Sequence, residues 1–325
     1  MSDPATTMRA ARAVFLDTAS LGADLDLAPL AAASDVFRAH PASRAEEVVA
    51  RLAHANVAIC NKAPIDEAAF AALPALELVL VTATGVNNID LTAAAMRGVL
   101  VCNGRDYGTG AVAQHTLMLL LALHTHFLDY RDKVRAGDWQ RAEGFCLMDL
   151  PILELGGRTL GVVGQGAIGS EVARLARAFG MDVVFAHIPG RPARAGALPW
   201  RDFLAVADAI SLHCPLTEST RGLIDAAALA LMKPGAFLVN CSRAGLVEAG
   251  ALIEALRAGR LAGAALDGLD VEPPRAGHAL LAPDIPNLIV TPHNAWASRQ
   301  ARQRLLDQTI ENLVAWRRGE VLRAV

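Results

Sequence analysis

A glycine-rich stretch in the middle of the chain, Gly161-Val-Val-Gly-Gln-Gly-Ala-Ile-Gly-Ser170, limits the possible folds more than any other segment. Three of its glycines have the spacing G-x-G-x-x-G, directly after the apolar run Thr159–Val163 and before a helical stretch at Glu171–Phe179. The spacing alone is a weak signal. Between a strand and a helix, however, such glycines permit a tight turn and let backbone N–H groups meet a pyrophosphate at the helix N-terminus. The sequence therefore predicts a dinucleotide-binding βαβ unit halfway along the chain.

Short β-branched runs alternate with Ala- and Leu-rich stretches along the whole chain, which is typical of parallel sheets with crossover helices. They form two series of predicted strands: Ala13–Leu16, Val57–Cys60, Leu78–Val81 and Leu100–Cys102, then Thr159–Val163, Val183–Ala186, Ala209–His213, Phe237–Cys241, Gly263–Leu266 and Leu288–Thr291. A long helix at Ala111–His126 is expected to lead into the second series, and a helix at Arg299–Arg318 to return to the first. We therefore expect an α/β protein with two doubly wound parallel-sheet domains. The first would span 1–104 plus 295–325, and the second 105–294.

Composition excludes several classes of partner. The formal net charge is −3 and basic residues are scattered, so nucleic acid and acidic lipid surfaces are not expected ligands. The longest apolar run, Leu117–Leu123, is far shorter than the roughly 20 residues that a membrane span needs. The five cysteines contain no C-x-x-C pair, and the N-terminus lacks an apolar signal core, which predicts free thiols and a cytoplasmic protein. No segment has a metal-ligand spacing.

The residue that would bind the adenosine ribose is not the usual carboxylate. An acidic side chain is expected at the carboxyl end of the second strand of the unit. Asp182 precedes that strand and so should lie at its other end, whereas His187 follows it, with Arg191 and Arg194 nearby. Without a carboxylate to repel a 2′-phosphate, and with arginines to pair with one, NADP is as open as NAD.

Three later strands each lead to a residue suited to one reaction. Arg243 follows one, Glu272 ends the loop after the next, and His293 follows the last. A nicotinamide donates hydride to a carbonyl carbon, and the carbonyl oxygen then needs a proton, which histidine supplies near neutral pH. Glu272 beside the imidazole of His293 would stabilise its protonated form, and the guanidinium of Arg243 would hold a substrate carboxylate or polarise the carbonyl. The set predicts reduction of a 2-oxo acid.

The sequence resembles the D-isomer-specific 2-hydroxyacid dehydrogenases over nearly its whole length, and most closely the glycerate dehydrogenase/hydroxypyruvate (glyoxylate) reductase branch. Besides the glycine motif, the resemblance rests on these segments: Thr82-Ala-Thr-Gly-Val-Asn-Asn-Ile-Asp90, Ser211-Leu-His-Cys-Pro-Leu-Thr217, Thr220-Arg-Gly-Leu-Ile224, Met232-Lys-Pro-Gly235, Val239-Asn-Cys-Ser-Arg243, Asp267 through Glu272-Pro273, and Thr291-Pro-His-Asn-Ala-Trp-Ala297.

The resemblance implies roles for particular residues. Arg243, Glu272 and His293 would be catalytic, and backbone N–H groups around Gly85 and Val86 would hold the substrate carboxylate. The substrate would lie in a cleft between a flavodoxin-like first domain and a Rossmann cofactor domain, and the protein would be a homodimer. Cofactor contacts, together with those expected from the residues themselves, would be Thr109, Gly164, Gly166, Ala167, Ile168, Gly169, His187, Cys214, Pro215, Thr220, Cys241 and Asp267.

Two departures and two rival functions remain at this stage. His187 replaces the acidic residue of many NAD-preferring members, and Gln114 stands where relatives often have Glu. Transcriptional corepressors that sense the cofactor share this fold and the catalytic trio, and dehydrogenases of formate or phosphite use the same scaffold. The Thr82–Asn88 loop resembles the hydroxyacid branch, and the chain shows only a short loose N-terminus, so we expect an enzyme acting on 2-hydroxy acids.

Overall fold

The computed structural model describes residues 8–192 and 194–325. They form two compact units, one running through Gly108 and completed by Ala297–Val325, the other comprising Thr109–Trp296. The limits expected from the sequence, after residues 104 and 294, fall a few residues earlier in the chain. The expectation of two parallel-sheet α/β domains is confirmed, since every pair of neighbouring strands in the described residues is parallel.

The first unit is built on a parallel sheet of five strands within the described residues, in the order β2-β1-β3-β4-β5. Its elements are β1 (Arg12–Phe15), β2 (Val36–Ala39), β3 (Val57–Cys60), β4 (Leu78–Val81), β5 (Leu100–Asn103), α1 (Ala28–Ala32), α2 (Ala45–Leu52), α3 (Glu67–Ala72) and α4 (Leu91–Met96). Strands β3 and β4 are buried at every position, as parallel strands covered on both faces are. Strand β2 was missed because it is a largely exposed edge strand with no apolar run.

The second unit is built on a parallel sheet of seven strands within the described residues, in the order β12-β11-β10-β9-β6-β7-β8. Its strands are β6 (Thr159–Val163), β7 (Asp182–Ala186), β8 (Ala197–Leu198), β9 (Ala209–Leu212), β10 (Ala236–Asn240), β11 (Leu261–Asp267) and β12 (Leu288–Thr291). Its helices are α5 (Thr109–His124), α6 (Phe127–Arg135), α7 (Asp138–Arg141), α8 (Ala167–Ala178), α9 (Trp200–Val206), α10 (Ala226–Leu231) and α11 (Ala249–Arg257). The two-residue edge strand β8 was not predicted.

The long helix expected at 111–126 is confirmed as α5, which begins and ends two residues earlier than expected, and the helix α6 that follows it was not predicted. Helix α5 ends at His124, α6 begins at Phe127, and their axes differ by 62°. His126, between them, has a left-handed φ of 48°, which ends the helix without a glycine or proline that would mark the break in the sequence. Among the described residues no single helix is long and apolar enough to cross a membrane, although the bent pair α5 and α6 passes on length and composition alone.

The last helix, α12 (Arg299–Arg317), belongs to the first unit. The Ser298 hydroxyl caps it by accepting the Ala301 N–H at 3.1 Å. The guanidinium groups of Arg302 and Arg317 bind the carboxylates of Asp24 and Asp35, with the Arg317 contact at 2.9 Å. These contacts join the C-terminal segment to residues near the start of the same unit.

Candidate active site

The predicted site residues of the second unit follow one another along one edge of its sheet. The strands β7, β6, β9, β10, β11 and β12 are successive neighbours in this sheet, so their carboxyl ends are consecutive along the edge. These ends lead to His187, the glycine turn, Cys214, Arg243, Glu272 and His293, respectively. Ligands of open parallel sheets bind outside this edge, so the topology gathers the candidates where the sequence predicts.

The glycine turn has room for a ligand at one position. Gly164 has a φ of 113°, and a β-carbon there would lie 2.5 Å from the carbonyl oxygen of His213. A β-carbon on Gly169 would lie 2.0 Å from the carbonyl oxygen of Gly164. Protein packing therefore requires both of these glycines. A β-carbon on Gly166, which caps α8, would meet nothing within 4 Å, and no side chain caps this helix. The turn and the first residues of α8, Ala167 and Ile168, thus fit a pyrophosphate.

The carboxyl end of β7 leads to His187 and not to Asp182, as the sequence predicts. Asp182 is the first residue of β7, so the expectation that it lies at the other edge of the sheet is confirmed. His187 follows the strand, and its Nε2 lies 2.9 Å from the carbonyl oxygen of Arg191. Because a carbonyl oxygen only accepts, Nε2 carries the proton of this hydrogen bond.

Two guanidinium groups lie beside this strand end. Arg194 donates to the carbonyl oxygen of Gln165, inside the glycine motif, at 3.1 Å. Arg191 contacts the Thr217 hydroxyl at 3.4 Å, a long hydrogen bond. In the described part of the chain no carboxylate forms an ion pair with either arginine. The end of β7 therefore presents positive charge without a protein counter-ion.

The loop after β9 is held by buried hydroxyl groups. Thr220, fully buried, donates its hydroxyl proton to the carbonyl oxygen of Pro215 at 2.8 Å and accepts the Thr217 N–H at 2.8 Å. Ser242 donates to the carbonyl oxygen of Cys214 at 2.8 Å, which ties this loop to the end of β10. Thr220 therefore shapes the predicted cofactor loop, and direct contact of its side chain with a cofactor stays a prediction.

Arg243 is anchored through its backbone while its side chain is exposed. The buried Asn240 donates to the carbonyl oxygen of Arg243 at 2.9 Å and accepts the Ser242 N–H at 3.0 Å. The guanidinium itself makes a long contact of 3.4 Å with the carbonyl oxygen of Ser242, and within the described ranges no carboxylate forms an ion pair with it. Its bidentate donor face is available to an anionic ligand.

Glu272 and His293 are in direct contact. Nδ1 of His293 lies 2.6 Å from Oε2 of Glu272, and the other carboxylate oxygen accepts the Leu269 N–H at 2.8 Å. An ionised carboxylate only accepts, so the imidazole donates through Nδ1 and Nε2 is the nitrogen left for chemistry. The side chain of His293 is 29% exposed and that of Glu272 is 35% exposed, which leaves the pair accessible to a small molecule. The contact agrees with the sequence prediction that Glu272 stabilises the protonated imidazole of His293.

Gly268, which sequence reasoning missed, makes room for this pair. It follows β11, has a φ of 108°, and a β-carbon there would lie 2.4 Å from Oε1 of Glu272 and 3.4 Å from Cγ of His293. A glycine directly after a predicted strand is the signal that could have identified it.

Asp267 holds the segment that carries His293. Its buried carboxylate accepts the Thr291 hydroxyl at 2.7 Å and the N–H groups of Asn294 and Ala295 at 2.9 and 2.8 Å. His293 lies between these anchors with a left-handed φ of 53°, which is unfavourable for most residues other than glycine. The prediction that Asp267 also contacts the cofactor stays a prediction. Thr291 and Asn294 were not singled out in the sequence, because a Thr or Asn beside a predicted proton donor has no distinctive spacing.

Two other predicted cofactor residues lie in the same unit. Thr109 is the first residue of α5 and is half-buried. Cys241 directly follows β10, and burial raises the pKa of its thiol to about 12, so it is a thiol rather than a thiolate at neutral pH.

The predicted substrate-carboxylate loop lies in the first unit, directly after β4. Asn103 donates to the carbonyl oxygen of Thr84 at 2.8 Å, and Asn88 donates to that of Ala63 at 2.9 Å. These bonds hold the loop on both sides of Gly85 and Val86. No acceptor within residues 8–192 and 194–325 takes the N–H of either residue, so both donors remain for a ligand.

A surface groove of about 800 Å³ lies elsewhere on the second unit. Its lining includes Gly235, Leu261 and Asn287, which stand at the amino ends of β10, β11 and β12. The groove is thus at the opposite edge of the sheet from the Glu272–His293 pair, and it is not the site described above.

Comparison with known proteins places the chain among dehydrogenases. Residues 117–295 match the family model described as "D-isomer specific 2-hydroxyacid dehydrogenase, NAD binding domain". A glycerate dehydrogenase of Methylorubrum extorquens is 41% identical over 85% of this chain and 87% of its own length. A hydroxypyruvate reductase of Blautia hydrogenotrophica is 34% identical over 86% of this chain and 88% of its own. The crystal structure of the TT0316 protein from Thermus thermophilus superposes with a TM-score of 0.83 at 34% identity, covering 97% of this chain and 99% of that one.

Proposed function

Because the chain belongs to the D-isomer-specific 2-hydroxyacid dehydrogenase family, we propose that it reduces small 2-oxo acids such as glyoxylate and hydroxypyruvate, as a glycerate dehydrogenase-type enzyme using NAD(P)H. The observation that carries the proposal is the 2.6 Å contact between Glu272 and His293, at the same sheet edge as a glycine turn with room for a pyrophosphate. The names of the relatives support the choice of substrate class.

His293 is the proposed proton donor. When a nicotinamide is bound, it supplies hydride to the carbonyl carbon of the substrate. The negative charge then grows on the carbonyl oxygen, and protonated His293 gives up its Nε2 proton to that oxygen. Glu272 stabilises the imidazolium through Nδ1 and fixes the orientation of the ring. In the reverse direction neutral His293 takes the proton of the hydroxyl group.

The substrate carboxylate is assigned to two sets of donors. Arg243 has no carboxylate partner among the described residues and presents a permanent positive charge. The N–H groups of Gly85 and Val86 are the neutral donors that the family resemblance implies for this carboxylate. A 2-oxo acid needs both a carboxylate anchor and polarisation of its carbonyl, and we assign Arg243 to both tasks.

NADPH is the proposed reductant. The end of β7 has His187 in place of a carboxylate, and the nearby guanidinium groups of Arg191 and Arg194 have no counter-ion in the described chain. A 2′-phosphate would add charge-assisted hydrogen bonds here, whereas a 2′-hydroxyl would leave the arginines to water. Replacing both arginines with Gln should weaken NADPH binding about tenfold or more and change NADH binding little. Equal losses for the two cofactors would contradict this assignment.

We also propose a cytoplasmic homodimer. All five cysteines are free thiols, as in a reducing compartment. The segment from α6 to residue 152 exposes several large apolar side chains, which are Phe127, Val134, Trp139, Phe145, Met148 and Ile152. Exposure of many large apolar side chains in one segment favours an interface, and a second copy is the partner that the family resemblance implies. Sedimentation equilibrium of the wild type and of a Phe145→Ser variant tests whether the protein is a dimer joined through this segment.

The proposed activity is tested by following oxidation of NADH and NADPH in parallel with glyoxylate and with hydroxypyruvate. Rapid oxidation with either acid, faster with NADPH, is the expected result. Binding of either dinucleotide without oxidation by any small 2-oxo acid would contradict the proposed function and favour a cofactor-sensing protein.

A further inference from the structure

A second histidine lies behind the proposed proton donor. His115, on α5, is largely buried, with 15% of its side chain exposed. Its Nε2 lies 3.1 Å from the Thr291 hydroxyl oxygen and 3.8 Å from Oδ1 of Asp267. Thr291 in turn lies 2.7 Å from the same oxygen of Asp267. The three side chains form a continuous, partly buried chain of polar contacts that includes Thr291, two residues before His293.

The donors in this chain follow from the chemistry of its members. The Asp267 carboxylate only accepts, so the single hydroxyl proton of Thr291 is donated to it. The Thr291 oxygen then has only lone pairs for His115, and the 3.1 Å contact requires a proton on Nε2 of His115. Burial lowers the pKa of His115, which favours the neutral ring in its Nε2–H form at neutral pH.

We propose that His115 is a positioning residue that, through Thr291, holds the segment carrying His293 in its reactive geometry. The segment needs such support because His293 has a φ of 53°, a left-handed conformation that is strained for a residue with a side chain and persists only where its surroundings hold it. Asp267 binds the segment on both sides of His293, at Thr291 and at the N–H groups of Asn294 and Ala295. His115 fixes the Thr291 hydroxyl so that its proton points to Asp267.

The consequence lies in the transfer step rather than in binding. Neither His115 nor Thr291 is assigned a contact with substrate or dinucleotide, so their loss displaces the imidazole without removing a ligand contact. A displacement of about 1 Å at a reacting group lowers a rate by up to about a hundredfold. The inference rests on the proposed role of His293, and the variants below separate the two.

Four variants test the chain of contacts, with His293→Asn and Thr309→Val as references. Thr291→Val keeps the shape of the side chain and removes the hydroxyl, whereas Thr291→Ser keeps the hydroxyl. His115→Gln places an N–H at the position of Nε2, whereas His115→Asn is one bond too short to reach Thr291. Thr309→Val removes a buried hydroxyl that donates to Leu305 within α12, and so controls for a purely structural loss.

The measurements are kcat and KM for the 2-oxo acid and the dissociation constant of the dinucleotide. Thr291→Val and His115→Asn should lower kcat between about ten- and a hundredfold with dinucleotide affinity within about twofold of wild type. Thr291→Ser and His115→Gln should recover most of kcat, and Thr309→Val should leave it unchanged. If Thr291→Val does not fold, the two His115 variants decide alone.

Two results separate the positioning role of His115 from the proposed role of His293. Wild-type kcat in His115→Asn, with an inactive His293→Asn, would overturn the positioning role and leave the proposed function intact. Substantial turnover by His293→Asn would overturn the proposed role of His293 as the proton donor, on which the inference rests. Equal loss of kcat in the Gln and Asn variants of His115 would also overturn the inference, because the reach of the N–H would then not matter.

Discussion

Gly268→Ala should weaken the hydrogen bond between Glu272 and His293 although neither of these two residues is substituted. A β-carbon on Gly268 would lie 2.4 Å from Oε1 of Glu272. Real contacts of a β-carbon do not fall below 3.0 Å, so the carboxylate must retreat by about 0.6 Å, more if ordinary van der Waals contact is restored. The same shift acts on the 2.6 Å bond to His293, which would lengthen past the range of a strong charge-assisted hydrogen bond.

The expected loss of kcat is about ten- to a hundredfold, because the shift approaches the 1 Å that costs up to about a hundredfold. Gly268 also has a φ of 108°, and alanine there adds a backbone cost of about 1–3 kcal/mol to the free energy of folding. The effect on catalysis must therefore be separated from a loss of stability.

Gly277→Ala is the matched control. Gly277 lies in the same loop and has a φ of 84°, but a β-carbon there would meet nothing within 4 Å. It should lose a similar free energy of unfolding in urea and retain kcat within about twofold. The assay is oxidation of the reduced dinucleotide by the 2-oxo acid, together with urea unfolding of both variants. Equal kcat in the two variants, at equal stability, would refute the claim that the position of Glu272 governs the rate.

Three further results are expected. Gly166→Ala should keep the thermal unfolding midpoint of the wild type, because the new β-carbon meets no atom of the described residues within 4 Å. The same variant should bind the dinucleotide more weakly in a fluorescence titration. Unchanged affinity would place the pyrophosphate elsewhere. Burial lowers the pKa of His124 from 6.5 to about 4, so the unfolded state binds its proton first as pH falls. Between pH 6.5 and 4 the wild type should therefore lose about 3 kcal/mol of unfolding free energy that His124→Leu retains, and parallel curves would contradict this. In alkylation followed by mass spectrometry, the exposed Cys146 should react first and Cys60, whose pKa is raised by burial, last; early labelling of Cys60 would mean that its strand opens.

The sequence predicted the inner strands well because burial on both faces imposes uninterrupted apolar runs. The inner strands β3, β4 and β6 begin and end as predicted, and so does the half-buried edge strand β12, which has an apolar run of its own. The edge strand β2 was not predicted, because its formation depends on pairing with β1 and not on its own side chains. The end of α5 was predicted two residues too late because His126, which takes a left-handed φ, is not a residue type that marks the end of a helix in a sequence.

Within the site, strand order is what the sequence could not supply. Placing Arg243, Glu272 and His293 after successive strands predicted a shared edge, and the neighbouring positions of β10, β11 and β12 confirm that edge. The chemistry of a proton-donating histidine also predicted its pairing with Glu272, and the 2.6 Å contact agrees with that prediction. The length of the contact and the nitrogen that makes it depend on loop conformation, which no spacing encodes. His115 was visible only as a histidine bordering an apolar run, and its partner Thr291 lies far away in the chain.

The measurement that tests the central claim most directly is the turnover of His293→Asn with a 2-oxo acid and reduced dinucleotide. Asparagine tolerates the left-handed φ of this position and can keep a donor near Nδ1, so the loop and the contact with Glu272 should survive while Nε2 is removed. The account predicts a loss of kcat of about a hundred- to ten-thousandfold with dinucleotide affinity near wild type. Turnover within a few-fold of wild type would contradict His293 as the proton donor.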